Sequence, residues 1–243
     1  MSDEDSMGLW VQFMYTYTWS GIFNMFVVRV FIIIMICVFG LAGGVHAQFD
    51  NYPYAIIELD SLGGSYTKPY AINNRGWITG ECSNTEKRYH AGLWKYNTLE
   101  LHDLGSLDGE SSVGYDINDK VQVVGHYTPP GHTFLDPHAM YWEKGIMIDL
   151  GTLEDGIDSE AFAINNSGQV VGYSDRYGEG NFVAFSWDKK NGMINLGGLD
   201  PDSWCIAHDI NDLGIAVGFS TFFDGEYNPK HAVIWTAPNE LID

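Results

Sequence analysis

Basic residues are scarce: the chain has 12 lysines and arginines against 32 aspartates and glutamates in 243 residues, a formal net charge of −20. The deficit argues against nucleic acid as a partner, because affinity for a phosphate backbone comes from Lys and Arg displacing condensed counterions. The carboxylate surplus reads as a well-hydrated surface. No long amphipathic helical segment is present, and Gly, aromatic and alternating apolar residues are abundant, so an all-β chain is the first expectation. Catalytic signatures are missing as well. There is no Gly-x-Ser-x-Gly elbow, no His-Glu-x-x-His, no Walker loop, and neither Cys82 nor Cys205 has a neighbouring His in a recognisable nucleophile setting. No catalytic residue, metal ligand or cofactor is therefore assigned.

Cysteine is the third scarcity, with three in the chain. Cys37 falls in the apolar run Val30 to Leu41, which Arg29 precedes and Val45-His46-Ala47 follows. A run of about a dozen apolar residues matches a signal h-region and falls short of the ~20 that a spanning helix needs. Small residues three before and one before a cut after Ala47 fit the secretory cleavage rule. The expected organisation is an N-terminal extension at 1–24, a signal peptide at 25–47 with translation starting at Met25, and a repeat domain at 48–243. The alternative is a membrane anchor formed from 9–41, so that the membrane is met only through an uncleaved signal segment. Cys82 and Cys205 remain in the mature part, and two thiols in an oxidising compartment are a disulfide candidate.

What is plentiful is repetition. Ala71-Ile72-Asn73-Asn74-Arg75-Gly76, Asp116-Ile117-Asn118-Asp119-Lys120-Val121, Ala163-Ile164-Asn165-Asn166-Ser167-Gly168 and Asp209-Ile210-Asn211-Asp212-Leu213-Gly214 each open a unit. Gly80, Gly125, Gly172 and Gly218 follow, then Trp94, Trp142, Trp187 and Trp235, then Leu104-Gly105, Leu150-Gly151 and Leu196-Gly197. The period is about 46 residues, in the range of propellers, solenoids and arrays. In the third unit, Ala161 to Asn165 reads as a strand, Asn166-Ser167-Gly168 as a turn, and Gln169 to Ser174 as the returning strand. Phe182 to Trp187 and Met193 to Leu196 supply two more. Both faces of the second strand are apolar, so each sheet needs a neighbour on either side. The expected fold is β-propeller-like, with four repeats of four short antiparallel strands, forming a small or incomplete ring. In it the repeated Gly permits close approach by an adjacent sheet, and the Trp fills the wedge between sheets. Tyr54 to Leu59 resembles a fourth strand lacking the three before it, and the same strand recurs at Glu240-Leu241-Ile242-Asp243.

The combined pattern, Ala-Ile-Asn-Asn-x-Gly-x-Val-x-Gly, then His-Ala-x-x-Trp, then Asp-Leu-Gly-x-Leu, resembles the HAF repeat of extracellular bacterial proteins. The triplet position reads His90-Ala91-Gly92, His138-Ala139-Met140, Val183-Ala184-Phe185 and His231-Ala232-Val233, so no unit carries the full triplet. The resemblance covers Tyr54 to Asp243 and implies an exported, propeller-like repeat protein. It implies no activity.

His90, His138 and His231 share one position. A metal needs its ligands converging on one ion, whereas a position repeated once per sheet spreads them, so a structural hydrogen bond is expected. The acidic loops at Asp108 to Glu110, Glu154 to Asp158 and Asp200 to Asp202 lack known calcium-loop spacings and read as polar connectors. The units differ most in the loops Thr128 to Pro137 and Thr221 to Pro229. On these lie the ligand-binding candidates His132, Phe134, Phe222 and Phe223. The expected function is a secreted or surface-exposed binding module for a protein or glycan, with a homo-oligomer as a further possibility. The alternatives are a glycosidase-like hydrolase using acidic residues at the propeller mouth and a structural fragment of a larger array.

Overall fold

The computed structural model describes residues 54–154, 156–176, 181–222, 225 and 229–236. The expectations for the extension, the signal peptide and its cleavage lie outside these residues, as do Phe223 and the last recurrence of the fourth strand. Contacts divide the chain into Met1–Glu58 and Leu59–Asp243, and every described strand belongs to the second unit.

The strands form four antiparallel sheets, each a simple meander, with no helix among the described residues. Sheet I contains β1 (Gly63–Ile72), β2 (Trp77–Asn84), β3 (Tyr89–Lys95) and β4 (Leu101–Asp103). Sheet II contains β5 (Ser112–Ile117), β6 (Gln122–Tyr127), β7 (His138–Glu143) and β8 (Ile146–Gly151). Sheet III contains β9 (Ser159–Ile164), β10 (Val170–Arg176), β11 (Asn181–Asp188) and β12 (Gly192–Asn195). Sheet IV contains β13 (Cys205–Ile210), β14 (Ala216–Thr221) and β15 (Lys230–Trp235).

The recurring Asn-Asn/Asp motif is the first hairpin turn of each sheet, and its leading Asn builds it. Asn165 Oδ1 accepts the N–H groups of Ser167 and Gln169, and Gly168 takes a φ of +90° that an L side chain rarely adopts. Asn73, Asn118 and Asn211 repeat these two bonds in their own turns. Sheet II holds Val121 at φ 62° where the others have Gly.

The first three of these Asn also reach the next sheet. The Nδ2 of each donates to the main-chain carbonyl of the following Asn: Asn73 to Asn118 at 2.8 Å, Asn118 to Asn165 at 2.9 Å, and Asn165 to Asn211 at 2.9 Å. The residue behind it alternates in chemistry. The N–H groups of Asn74 and Asn166 donate to the carboxylates of Asp119 and Asp212, whereas the N–H of Asp119 donates to the amide oxygen of Asn166. The four turns line one open hollow of about 380 Å³.

A second staple crosses each junction. Ser112 Oγ accepts the N–H of Ala91 at 2.9 Å and donates to the carbonyl of Gly105, and Ser159 does the same with Ala139 and Gly151. At the third junction Cys205 Sγ takes the place of the hydroxyl, between the Ala184 N–H at 3.2 Å and the Gly197 carbonyl at 3.4 Å.

Apolar packing fills the junctions. Val124, Ala139 and Tyr141 of sheet II meet Ile164, Val170, Phe185 and Trp187 of sheet III, with Tyr141 and Trp187 ring centroids 5.2 Å apart. Ala91 and Leu93 meet Ile117, Val123 and Met140 at the first junction, and Val171 and Ala184 meet Ala207, Ile210 and Ala216 at the third. Each such Val, Leu, Ile or Met side chain, fully buried, contributes about 1.5–3 kcal/mol.

Two expectations are corrected. Cys82 and Cys205 are free, buried thiols and form no disulfide. Each is engaged where it stands: Cys82 Sγ lies 3.6 Å from the His90 carbonyl within sheet I, while Cys205 holds the junction between sheets III and IV. Burial pushes the Cys82 thiol up to about 12 and raises that of Cys205, so both stay protonated and poorly nucleophilic. The repeated Gly does allow a close approach, but within its own sheet. A Cβ on Gly172 would stand 1.9 Å from the Glu160 carbonyl of β9, and Gly125 and Gly218 meet Val113 and Ile206 in the same way. At each of these places the inner strand bulges.

Candidate functional site

The bulge is repeated in all four sheets. The register of the first strand shifts between Pro69 and Ala71, between Gly114 and Asp116, opposite Val171 and Gly172, and between Ala207 and Asp209. The extra residues are Tyr70, Tyr115, Phe162 and His208. A bulge re-aims its side chain, and here the four rings meet. Tyr70 and Tyr115 centroids are 5.2 Å apart, Tyr115 and Phe162 5.7 Å, and Phe162 and His208 5.7 Å. The row branches at Phe162 through Tyr173 at 5.7 Å and Phe182 at 4.8 Å to Trp204 at 5.9 Å.

Glu160 sits beneath the row. Tyr173 donates its hydroxyl to Glu160 Oε1 at 3.2 Å, and His126 Nδ1 lies 3.6 Å from Oε2, an ion-pair distance too long for a hydrogen bond. Burial pushes the Glu160 carboxyl up, but His126 and the hydroxyls of Tyr115 and Tyr173 outweigh it and hold the carboxyl below its usual range. Nearby Asp158 goes the other way. Burial, then the charge of Asp175, raises it to about 6. Asp175 is itself buried, and its two carboxylate oxygens have no hydrogen-bond partner among the described residues.

The row ends in a cleft of about 710 Å³ on sheet IV, lined by Asp200, Asp202, Trp204, Thr221, Phe222 and Lys230 among others. Its floor is tightly built. Ser203 Oγ accepts the Asp200 N–H and donates back to the Asp200 carbonyl, both at 2.8 Å, which closes the Asp200-Pro201-Asp202-Ser203 turn. Trp204 and Thr221 exchange two bonds: the Thr221 N–H donates to the Trp204 carbonyl at 2.7 Å, and the Trp204 N–H donates to Thr221 Oγ1 at 2.9 Å. The Trp204 indole N–H donates to Asn181 Oδ1 at 3.3 Å, and Arg176 Nη2 donates to the Pro201 carbonyl. On this fixed frame Trp204 remains 47% exposed and Phe222 43% exposed, with Lys230 Nζ 4.2 Å from the Phe219 ring centroid. Two presented rings, the Asp202 carboxylate and an ammonium suit a ligand with C–H faces and hydroxyl groups.

The candidate residues separate. Phe222 lines this cleft. Phe134, 78% exposed, and His132 lie on the loop after β6 in sheet II and do not line it. His132 stacks edge-on against His138 at 5.4 Å. The repeated His ties the third strand to the fourth in two sheets. His90 Nδ1 is 3.0 Å from the Asp103 carboxylate, and His138 Nδ1 3.0 Å from that of Asp149, which also accepts the Tyr127 hydroxyl. Burial pushes Asp103 and Asp149 up, but the bonded imidazoles and the Gly105 and Gly151 N–H groups prevail and hold both below the usual carboxylate range. Among the described residues no three metal-ligating side chains gather.

Trp204, Lys230 and Glu160 escape sequence reasoning. Trp204 carried one readable mark, since the repeat's own Trp in that sheet is Trp235. No family model and no curated protein matches the chain. Among solved structures the chain is similar to TolB from Acinetobacter baumannii, with 14% identity and a TM-score of 0.49 over 70% of this chain. The chain spans 42% of the length of that structure.

Proposed function

We propose that this chain is a propeller-like repeat module of an exported protein, and that it holds a glycan in the Trp204–Phe222 cleft without turning it over. The propeller reading draws on four meander sheets with like junctions whose first turns face one hollow. Export draws on the apolar run at Val30 to Leu41 and the small residues before Gln48, and two buried, protonated thiols are compatible with an oxidising medium. The observation that carries the binding reading is the pair of exposed rings on a hydrogen-bonded frame, beside Asp202 and Lys230. Sugar rings stack their C–H faces on such aromatics while carboxylates accept from their hydroxyls.

Titration of an oligosaccharide panel, followed by tryptophan fluorescence, should find a ligand. Trp204→Ala should weaken that ligand at least about tenfold, the effect of losing ~1.4 kcal/mol, in a variant whose cooperative unfolding transition shows that it remains folded. A panel without binders, or equal affinity in the variant, removes this reading. One observation favours a hydrolase instead: Asp158, raised to about 6, beside Asp175 makes a carboxylate pair suited to proton transfer near neutrality. Shortened oligosaccharide in the same titration, absent with Asp158→Asn, would decide for it.

A further inference from the structure

Among the described residues, sheets I and IV carry the two unmatched halves of one junction. Ile117, Ile164 and Ile210 are buried by the sheet before them, whereas Ile72, their counterpart in sheet I, is 62% exposed. Val124 and Val171 are buried by the sheet after them, whereas Val217 in sheet IV is 43% exposed. The polar halves are equally complementary. Asn211 holds the position from which Asn73, Asn118 and Asn165 each donate to the next Asn carbonyl, and the Asn73 carbonyl is the matching acceptor. Asp209 corresponds to Asp116, whose Oδ2 accepts the N–H of Ile164, and the counterpart of Ile164 is Ile72. Ala232 corresponds to Ala91, Ala139 and Ala184, whose N–H groups donate to Ser112, Ser159 and Cys205, and Thr67 stands at that position in sheet I.

Alternation makes the match specific. Sheets I and III carry Ala and Asn at the positions where sheets II and IV carry Asp and Asp, so IV followed by I repeats the junction of II followed by III. The irregular segment ahead of sheet I makes the same bonds to it as the connectors between sheets make to theirs. Trp94 Nε1 donates to the Asp60 carbonyl as Trp235 Nε1 donates to that of Gly197, and Ser61 Oγ bonds Gly64 as Ser106 Oγ bonds Gly109.

We infer that sheet IV of one copy docks on sheet I of a second copy, continuing the inter-sheet interface already present three times in the chain. The contact is head-to-tail, and two copies joined at both ends make a ring of eight sheets, within the ~4 to 8 blades of closed propellers. The ring count rests on the propeller-like part of the function proposed above. The Trp204 titration does not depend on it, so the two fail separately.

The test is the mass of the purified full chain, by light scattering after size exclusion at physiological salt, which screens repulsion between acidic copies. Twice the protomer mass is expected. Val217→Asp and Ile72→Asp each place a carboxylate in the junction, where it is buried without a partner, and each variant alone should elute at the protomer mass. Mixed, they should regain twice that mass, because one intact sheet IV then meets one intact sheet I. Such rescue also shows that both variants fold. The parent mass decides even where a variant fails to fold. A parent at the protomer mass, as for a ring closed within one chain, overturns the inference. So does a mass above two copies, a variant that remains paired, or a mixture that stays at the protomer mass.

Discussion

Cys205 occupies the position that serine holds at the two preceding junctions, and its thiol spans the same pair of main-chain groups as Ser112 and Ser159. A hydroxyl is the stronger donor and acceptor, so Cys205→Ser should keep the staple and fall within about 1 kcal/mol of the parent. Cys205→Ala should cost about 1–3 kcal/mol by leaving the Ala184 N–H and Gly197 carbonyl unpaired. Urea unfolding of both variants checks this, and equal losses would show that the staple contributes nothing. The thiols also mark a limit of sequence reading. Two cysteines in a chain expected to be exported suggest a bond, yet position 205 was legible as a serine-like site by aligning the units at Ser112 and Ser159. The triplet position behaves similarly. Where His90 and His138 pair with Asp103 and Asp149, sheet III has Val183 with Asn195, and Asn195 Oδ1 still accepts the Gly197 N–H. The imidazole and carboxylate have been exchanged together, as expected of a structural pair whose broken half would leave a charge unmatched.

Within each sheet the least obvious device is the glycine of the second strand. Its missing Cβ accepts the carbonyl of a bulged inner strand, and the bulge turns Tyr70, Tyr115, Phe162 or His208 into the aromatic row. Gly172→Ala places a methyl group against backbone that cannot withdraw. It should lower stability by more than about 3 kcal/mol, in the range of the largest single-residue effects. A loss below about 1 kcal/mol in chemical unfolding would mean that the bulge relaxes freely. The strands of the third unit and the Asn turns were readable from period and turn chemistry, and the structure places them within a few residues of expectation, whereas Tyr54 to Leu59, expected as a fourth strand, forms none. The bulge was not readable, because glycine reports only that a close approach exists, not which neighbour makes it. The Trp204 cleft was half readable. Phe222 stood out as an irregularity between repeats, whereas Lys230 and Asp200 acquire meaning only when the end of β14 and the start of β15 are brought together.

At the scale of the whole molecule, the described carboxylates with displaced pKa fall into two groups with opposite responses to acid. Asp158, raised to about 6, and Asp116, raised chiefly by burial, bind protons more tightly when folded. Their contribution is fully present below the unfolded carboxylate range near 4 and is lost as pH rises through the folded value. Asp103, Asp149 and Glu160 are lowered, so their contribution is present above that range and is lost as pH falls through their folded values. Stability should therefore rise as pH drops from 7 towards 5, then fall below about 4. Thermal unfolding across this range tests the curve. Asp158→Asn should flatten its neutral limb, raising the midpoint at pH 7 and leaving it nearly unchanged at pH 4.

The alternation of Asn and Asp at the hairpin turns carries a further consequence, for how such a chain changes length. Each Asp119- or Asp212-type carboxylate is faced by an amide from an odd-numbered sheet. Deleting sheet III alone would set Asp119 beside Asp212 and Asp116 beside Asp209, like charges where a donor and an acceptor now meet. Gain or loss of two neighbouring sheets leaves every junction as it was. The heritable unit of this architecture is thus about 92 residues rather than 46, twice the apparent repeat.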